Sequence, residues 1–314
     1  MIKVIELFSG IGCQRQALKN INVNHEVIGI SEIDKYAIDS YYQLHGKTFN
    51  FGDISKIKKL PKVDLWTYSF PCQDLSMAGN MKGMKKGTRS GLLHEVERLL
   101  EVSEKPKYLL LENVKNLVSK KFKKDFDKWC SKLEELGYRN YWKVLNAKDY
   151  GIPQNRERVF MVSILENKKF EFPEKIELKL LLRGFLEKEE NVDKKRFINK
   201  SYTLTGKNIG IVAMKDDGNF EQGRRVYGIN GYINTIPAKD RGVNNILLDD
   251  GRIRKITVRE AWRLMGWKDK EFDAIKNIPN SQLYQQAGNG IVVKVLEKIF
   301  KNLFKQEGDI DVDM

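Results

Sequence analysis

The sequence predicts an α/β protein built on a doubly wound, mostly parallel sheet, with a second, smaller β-rich domain. The first observation behind this prediction is the opening of the chain, where a strand-like apolar run leads into a glycine turn and a helical pattern. The second is the continued alternation of strand-like and helical segments up to about residue 172. The third is a change after that point to short strand patterns punctuated by glycine.

Two strand–helix units make up the amino-terminal part of the chain. Residues 2–8 form the apolar run IKVIELF, Gly10 and Gly12 supply the turn, and helical spacing continues through Leu18. The second unit is predicted as the strand and turn HEVIGISEID followed by the helix KYAIDSYYQLHG. Such a succession is typical of a parallel sheet whose helices cover both of its faces.

Four further strand-like runs extend this sheet, namely VDLWTYSF, KYLLLENV, YRNYWKVLNA and RVFMVSIL. Among the helical segments between them, FKKDFDKWCSKLEELG places its apolar side chains on one face and ends at Gly137. We expect that face to be formed by Phe122, Phe126, Trp129, Cys130, Leu133 and Leu136.

The smaller domain follows a segment rich in lysine and glutamate. Its short strands are predicted within GIVAMKDDGN, RRVYGINGYINTIPAKD and NNILLDDGRIRKI. Helical periodicity returns near Thr257, and a last amphipathic helix, IVVKVLEKIFKNLF, precedes an acidic tail, GDIDVDM, that we expect to be disordered. We predict a first domain of residues 1–183 and 287–314, a second of residues 184–257 and a hinge of residues 258–286.

Composition narrows the class of protein. The formal net charge of +14 favours a polyanionic partner such as nucleic acid, although charge alone leaves this open. With three widely spaced cysteines and three histidines, we expect neither a disulfide framework nor a metal site. The amino terminus lacks a signal-peptide pattern, and no window approaches the roughly 20 apolar residues of a membrane helix, so we expect a cytoplasmic protein.

The turn from Phe8 to Gly12, between a strand and a helix, suits a nucleoside cofactor, because its glycines let the ligand approach the backbone. The same pattern is also typical of a plain tight turn. Glu32, at the end of the second strand, is a candidate acceptor for two ribose hydroxyls, and Asp53 for an adenine amino group. A dinucleotide would use a strand-end carboxylate as well, but the turn lacks the full GxGxxG spacing.

Cys72 follows a proline at the end of a strand-like run. Pro71 fixes its own φ and biases Phe70 toward an extended conformation, so the thiol is presented from a loop. A lone cysteine is more often a buried apolar residue than a nucleophile. Residues 74–91, however, are rich in glycine, lysine and arginine, which suits a segment that closes over phosphates and favours a thiolate.

Two further motifs carry polar side chains at strand ends. Glu112 directly follows a strongly apolar strand and is either a solvated carboxylate or a partly buried acid that donates to a ring nitrogen. In QNRER, alternation places Gln154, Arg156 and Arg158 on one side, as a row of planar donors or as a salt-bridge ladder on an edge strand.

These motifs occur in one order along nearly the whole chain, as FSGIG, SEID, GDI, FPCQ, ENV, QNRER and, near the end, QAGNG. Together they resemble the ordered motifs of the cytosine-C5 DNA methyltransferases of bacterial type. Residues 210–290 are most similar to the small GCGC-specific prototype of that family. The resemblance implies a Rossmann-like fold that binds S-adenosylmethionine, joined to a target-recognition domain, and methylation at C5 of a cytosine flipped out of duplex DNA.

The resemblance also implies a role for each matching residue. Cys72 is implied as the nucleophile, Glu112 as a contact to cytosine N3 and Arg158 as a contact to O2, with Arg156 and Gln154 supporting the site. The implied S-adenosylmethionine contacts are Phe8, Ser9, Gly10, Gly12, Glu32, Ile33, Asp53, Ile54, Pro71, Leu92 and Asn289. The implied DNA contacts are Gln222, Arg225, Ser76, Lys82, Arg89 and Arg241.

The chain departs from the family pattern at several positions. Cys13 stands where a second glycine is usual, Ser69 where glycine or proline is common, and Thr257-Val258-Arg259-Glu260 replaces a Thr-Pro-Arg-Glu pattern. None of these changes removes a catalytic group. The stretch from Val212 to Glu221 is longer than in the prototype, so the prototype's recognition sequence is not implied.

Alternative functions remain at this point. A cytosine-C5 methyltransferase acting on transfer RNA shares these motifs, although the long glycine- and arginine-rich segment before Thr257 favours readout of duplex DNA. A DNA-binding regulator without catalysis is disfavoured by the intact Cys72, Glu112 and Arg158, and a nicotinamide-dependent oxidoreductase is the weakest alternative. We expect a monomer, since no heptad pattern or large apolar stripe predicts an assembly surface.

Overall fold

The computed structural model describes residues 1–71, 90–216, 221–238 and 244–305, so the acidic tail GDIDVDM lies outside the described residues. The strands are β1 Ile2–Leu7, β2 His25–Ser31, β3 Leu65–Tyr68, β4 Tyr108–Val114, β5 Arg139–Asn146, β6 Gln154–Asn155, β7 Glu157–Ile164, β8 Phe197–Ile198, β9 Tyr202–Leu204, β10 Ile211–Lys215, β11 Arg225–Gly228, β12 Ile233–Asn234, β13 Asn245–Leu247 and β14 Ile253–Lys255. The α-helices are α1 Cys13–Asn20, α2 Lys35–His45, α3 Leu93–Val102, α4 Lys123–Glu135, α5 Glu221–Arg224, α6 Val258–Arg263, α7 Asp269–Ala274, α8 Asn280–Asn289 and α9 Val293–Phe304.

The first sheet has the strand order β2-β1-β3-β4-β7-β5. The predicted parallel arrangement is confirmed for β1 to β4, which all run in one direction. Strand β7 runs antiparallel to both of its neighbours. The reason is the short connection between β5 and β7, because only antiparallel neighbours can be joined without a long crossover.

Helices cover both faces of this sheet because its strands carry apolar side chains on both sides. Along β1 and β4, Val4 and Leu110 enter one core, and Ile5 and Leu109 enter the other. Helices α1 and α9 pack together over the first core. Helix α4 lies over the second, where four residues of its predicted face are buried, namely Phe122, Phe126, Trp129 and Leu133. In the described part of the chain, none of the helices combines the length and apolarity needed to cross a bilayer.

The second sheet has the order β8-β14-β13-β11-β10-β9. Its pairs are antiparallel except for β11 with β13. Ala213, Val226 and Ile253 form a small core of their own. Tyr227 and Ile246 instead join the larger core that continues from the first sheet, so the two sheets are linked by continuous apolar packing.

A buried ion pair ties the second sheet to α6. The guanidinium of Arg254, in β14, donates to both carboxylate oxygens of Glu260 at 2.8 and 2.6 Å. The same carboxylate accepts the backbone N–H of Thr257, whose hydroxyl caps α6 in return. The Thr-Val-Arg-Glu variant of the family pattern thus retains a complete capping box. Both charged side chains are almost fully removed from solvent.

We predict that Arg254→Met lowers the free energy of unfolding by roughly 3 to 5 kcal/mol, because Glu260 would stay buried without its counter-charge. Urea denaturation followed by circular dichroism measures this loss. Arg252→Met is the matched control, since Arg252 lies in the same hairpin and pairs with Glu189 and Asp250 in solvent. A similar decrease of the urea midpoint in both variants would contradict the view that the loss in Arg254→Met arises from the buried, unpaired Glu260.

Candidate active site

A cleft of about 440 Å³ opens at the carboxyl ends of β1 to β4. Its walls are the segments that follow each of these strands, together with Arg156, Arg158 and the end of α8. Open α/β sheets bind ligands at this edge, because the loops after parallel strands converge there. The cleft therefore lies where the sequence motifs predict a nucleoside site.

Most of the predicted cofactor residues line this cleft, although they come from distant parts of the chain. They are Phe8, Ser9, Gly10, Glu32, Ile33, Asp53, Ile54, Pro71, Leu92 and Asn289. Gly12 is not among the lining residues. A Cβ on Gly12 would lie 2.6 Å from atoms of both Tyr41 and His45, and its φ is +75°. Gly12 therefore permits the close packing of α1 on α2.

The carboxylate of Glu32 is held at the cleft by backbone groups. One oxygen accepts the N–H of Gly10 at 2.8 Å, and the other accepts those of Ile33 and Asp34. These bonds join the turn after β1 to the turn after β2. Because each carboxylate oxygen has more than one lone-pair site, Glu32 can still accept hydroxyl donors from a ligand.

Asn50 is a contributor to this wall that the sequence analysis missed. Its side-chain oxygen accepts the N–H groups of Glu32 and Gly52, and its amide donates to the carbonyl of Glu32. Asn50 thus fixes the end of β2 relative to the turn before Asp53. The available signal was an asparagine two residues before a glycine, a pattern typical of side-chain-stabilised turns.

Ile33 and Asp53 offer one apolar and one charged surface to a ligand. Ile33 borders the cleft with 74% of its surface exposed. Hydrogen bonds from the backbone and hydroxyl of Ser55 hold the pKa of Asp53 below its usual range, so this carboxylate is an ionised acceptor. An aromatic ring flanked by an apolar side chain and a polar acceptor is the arrangement that such a wall accommodates.

Glu112 is a buried acid at the end of β4. Its side chain is nearly inaccessible to solvent and lies on the cleft. Burial raises the pKa of Glu112, and the positive charges of Arg158 and Arg156 partly oppose that effect. Arg158 Nε lies 3.3 Å from Glu112 Oε1. Glu112 therefore holds its proton to a higher pH than a solvated carboxyl group does.

Arg156 and Gln154 bond to backbone carbonyls of distant segments. Arg156 donates to the carbonyls of Gly288 and Gly290 at 2.8 and 2.7 Å, which fixes the turn after α8. Gln154 lies away from the cleft, fully buried, where its amide donates to Leu264 and accepts from Ile236. The alternative interpretation of QNRER, a salt-bridge ladder on an edge strand, is wrong, because β7 is an inner strand between β4 and β5.

Asn113 anchors the segment that leads to Cys72, and the sequence analysis assigned it no role. Its buried amide donates to the carbonyl of Phe70 at 3.0 Å, and its oxygen accepts the N–H of Val114. Phe70 and Pro71 directly precede Cys72 in the chain. Position alone was the available signal, since an amide that ends a buried strand needs partners for its polar atoms.

Several predicted residues cannot be placed on this geometry. Cys72, Ser76, Lys82, Arg89 and Arg241 lie outside the described residues. Gln222 lies in α5, and its side chain is also outside the described part. Arg225 begins β11, and its guanidinium donates to the carboxylate of Glu221 at 2.7 Å. This pairing keeps the charge of Arg225 at the end of α5.

The cleft suits a nucleoside cofactor that carries polar groups. Ser9 Oγ and Gln14 Oε1 are buried side-chain atoms without hydrogen-bond partners among the described residues, and both side chains belong to the lining. Such atoms are costly unless a ligand or water satisfies them. The described residues contain no group of three or more His, Cys, Asp or Glu side chains placed to hold a metal ion.

The sheet with its reversed β7 strand, and the cleft at the carboxyl ends of the parallel strands, define a Rossmann-like methyltransferase. The chain belongs to the C-5 cytosine-specific DNA methylase family, whose family model matches residues 2–305. Members of this family use S-adenosylmethionine as the methyl donor. The ordered sequence motifs are thereby confirmed as those of a DNA (cytosine-5)-methyltransferase.

Known proteins from bacteria and yeast are similar to this chain over almost its full length. It is 40% identical to the type II methyltransferase M2.ScrFI of Lactococcus lactis subsp. cremoris, over 98% of this chain and 100% of that protein. It is 33% identical to the type II methyltransferase M.HhaI of Haemophilus parahaemolyticus, over 96% and 94%. The crystal structure of the S. pombe Dnmt2 methyltransferase has a TM-score of 0.74 at 21% identity, covering 98% of this chain and 100% of that chain, and shows a shared fold.

We predict that Asn113→Leu lowers the turnover rate of methylation by about 100-fold, because a small displacement of the segment before Cys72 misplaces the reacting groups. The affinity for S-adenosylhomocysteine should change less than twofold. Steady-state kinetics and calorimetry measure the two quantities. Asn140→Leu removes a comparable amide-to-carbonyl bond, to Cys130 in α4, and should leave turnover unchanged. Equal losses in both variants would contradict an anchoring role.

Proposed function

We propose that this protein methylates cytosine at C5 within a specific sequence of duplex DNA, through a covalent bond between Cys72 and C6 of the flipped-out base. The observation that carries the proposal is the buried Glu112, which lies beside Arg158 in the cleft that the predicted cofactor residues line. Phe70, which Asn113 anchors, and Pro71 line this cleft, and Cys72 is the next residue in the sequence, which supports the proposal.

C5 of cytosine is a poor nucleophile and must be activated before it reacts. Addition of the Cys72 thiolate to C6, with transfer of the Glu112 proton to N3, converts C5 into the nucleophilic carbon of an enamine. S-adenosylmethionine, when bound, would supply the electrophilic methyl group to C5 and would leave as S-adenosylhomocysteine. Removal of the C5 proton by a base restores the C5–C6 double bond and expels the Cys72 thiolate, and the N3 proton returns to Glu112.

The two arginines act differently in this proposal. The guanidinium of Arg158 stabilises charge that develops on O2 of the cytosine while it keeps Glu112 in place. Arg156 holds the carbonyls on either side of Asn289, so it positions a cofactor contact. Gln154, which joins Leu264 to Ile236, is a positioning residue between the two sheets.

Extrusion of the target base costs a few kcal/mol, which contacts to the DNA must offset. We assign these contacts to the basic segment of residues 73–91 and to the second sheet. The residues concerned are Ser76, Lys82, Arg89, Gln222, Arg225 and Arg241, with Gln222 filling the space of the flipped base and Arg225 reading guanine. The net charge of +14 supports binding to the phosphate backbone.

We further propose that residues 184–257 form the target-recognition domain and residues 258–286 the hinge to the catalytic domain. The strands of the second sheet from Phe197 to Lys255 and the ion pair from β14 to α6 support this division. We propose a monomer, because the apolar face of α9 is used inside the chain against α1. We also propose a cytoplasmic location, because the relatives are bacterial proteins named as type II methyltransferases, and these relatives support a role in restriction-modification.

We predict that duplex DNA containing 5-fluorocytosine traps a denaturant-stable complex, because fluorine cannot be removed as a proton. Long DNA of mixed sequence supplies every target, and gel electrophoresis after denaturation reveals the adduct. Cys72→Ser should abolish the adduct. Cys130→Ser, which alters a free cysteine on α4, should preserve it.

The same experiment distinguishes the alternatives. Transfer RNA containing 5-fluorocytosine is treated in parallel. An adduct with RNA and none with DNA would establish the RNA methyltransferase instead. Binding of the DNA without any adduct would leave a regulator without catalysis.

We predict that the rate of single-turnover methylation falls at alkaline pH as Glu112 loses its proton. Burial raises the pKa of Glu112, so Glu112 stays protonated above the usual pH range of carboxyl groups. The proton donor is lost as the pH rises through this raised pKa, and the rate therefore falls on the alkaline side. In Glu112→Gln the amide does not titrate there, so the rate should drop roughly 100-fold and this alkaline decline should disappear.

The control for this titration is Glu157→Gln, which alters a neighbouring carboxylate that pairs with Lys115 in solvent. It should retain both the rate and the pH profile of the wild type. An unchanged alkaline decline in Glu112→Gln would assign that titration to another group.

A further inference from the structure

Gln14 has a buried acceptor atom that the fold itself leaves unsatisfied. Its side chain is 3% exposed, and its Oε1 has no hydrogen-bond partner among the described residues. The side chain also lines the cleft beside Cys13 and Arg156. A buried amide oxygen loses its bonds to water on folding, so its presence here calls for a donor supplied from the cleft.

The position of Gln14 identifies the part of the ligand that reaches it. The sulfonium centre of S-adenosylmethionine carries an adenosyl group, a methyl group and an amino-acid chain. From the sequence, Glu32 is the candidate acceptor for the ribose hydroxyls and Asp53 for the adenine amino group, and in the proposed function the methyl group goes to C5 of the cytosine that Glu112 protonates. Other parts of the wall include the first turn of α1, with Gln14, and residues at the end of α8 from Gln285 to Ile291.

These two parts of the wall are packed directly against each other. A Cβ on Gly290 would lie 3.4 Å from the Sγ of Cys13 and 3.0 Å from the carbonyl oxygen of Gln286. The first turn of α1 and the turn after α8 therefore form one continuous surface. Gln14 follows Cys13 in the first turn of α1 and lines the cleft next to this contact.

We propose that Gln14 is a cofactor contact whose Oε1 accepts a hydrogen bond from the α-ammonium group of S-adenosylmethionine. The ammonium group is the donor at that end of the molecule, because the carboxylate is ionised at neutral pH and has no proton to donate. A bond to a charged donor is stronger than one between neutral groups. This inference rests on the proposed function and names a contact that the ordered motifs do not contain.

The test is a binding cycle between the side chain and the ligand's amino group. Calorimetry measures the affinity of the wild type and of Gln14→Met for S-adenosylhomocysteine and for its deaminated analogue, in which hydrogen replaces the α-amino group. The wild type should bind S-adenosylhomocysteine roughly tenfold to a hundredfold more tightly than the analogue. Gln14→Met should lose most of that preference and bind the analogue as the wild type does.

A stability measurement separates this role from a structural one. Gln14→Met should keep or raise the melting temperature of the free protein, because it replaces a side chain with an unsatisfied buried oxygen by an apolar side chain of similar length. Gln16 is the matched control. It lies in the same helix and is buried, and its amide donates a hydrogen bond of 2.8 Å to the side-chain oxygen of Asn20. Gln16 is not one of the residues that line the cleft. Gln16→Met should lower the melting temperature and leave the preference for the amino group unchanged.

The outcomes separate the inference from the proposed function. If the wild type fails to bind S-adenosylhomocysteine, the proposed cofactor site itself is wrong. If the wild type binds it with no preference over the analogue, or if Gln14→Met keeps the preference, the site stands and the inference about Gln14 is overturned. If Gln14→Met does not fold, Gln14→Glu, which retains an acceptor, must keep the preference for the amino group.

Discussion

The direction of a single strand determines the chemistry of this site. Because β7 runs against β4, its first residues lie at the carboxyl edge of the sheet, and Arg158 pairs with Val114 in the register. A parallel β7 would start at the opposite edge, far from Glu112. The reversal therefore brings a guanidinium to within 3.3 Å of a buried acid that ends a neighbouring strand.

This arrangement balances two opposed electrostatic effects on Glu112. Burial favours the neutral acid, and the nearby guanidinium groups favour the carboxylate. An acid without cations would be hard to deprotonate, and one without burial would be ionised throughout the working range of the enzyme. Arg156 further connects this balance to the turn after α8, and Gln154 connects it to Leu264, after α6, and to Ile236, after β12, so the same row of side chains sets both charge and position.

The sequence predicts those features that depend on local pattern. Strand, turn and helix at Ile2–Asn20, the buried face of α4 and the short strands of the second sheet follow from periodicity and glycine placement. The ordered motifs predict the cofactor wall, since FSGIG, SEID, FPCQ and ENV lie at or shortly after the ends of β1 to β4 in the sequence. The direction of β7 does not follow from periodicity, because an apolar run is the same in either orientation.

Other features depend on contacts between residues far apart in the chain. Gln154 bonds to Ile236 and Leu264, which follow it in the chain by 82 and 110 positions, and no rule of sequence spacing predicts these contacts. Gly12 fits the pattern of a cofactor turn, but its absent side chain makes room for Tyr41 and His45. The roles of Asn50 and Gln14 depend on which residues surround them in the folded protein. The amino-acid composition does not identify those neighbours.

The bonds from Arg156 to Gly288 and Gly290 have a consequence for biosynthesis. These partners lie 132 and 134 residues later in the chain, and α9, which covers α1, is later still. A ribosome therefore exposes the strands of the first sheet well before the segment that completes its cleft. The carbonyls that Arg156 binds become available only after the ribosome has added Gly288 and Gly290, so the cleft is completed late in synthesis.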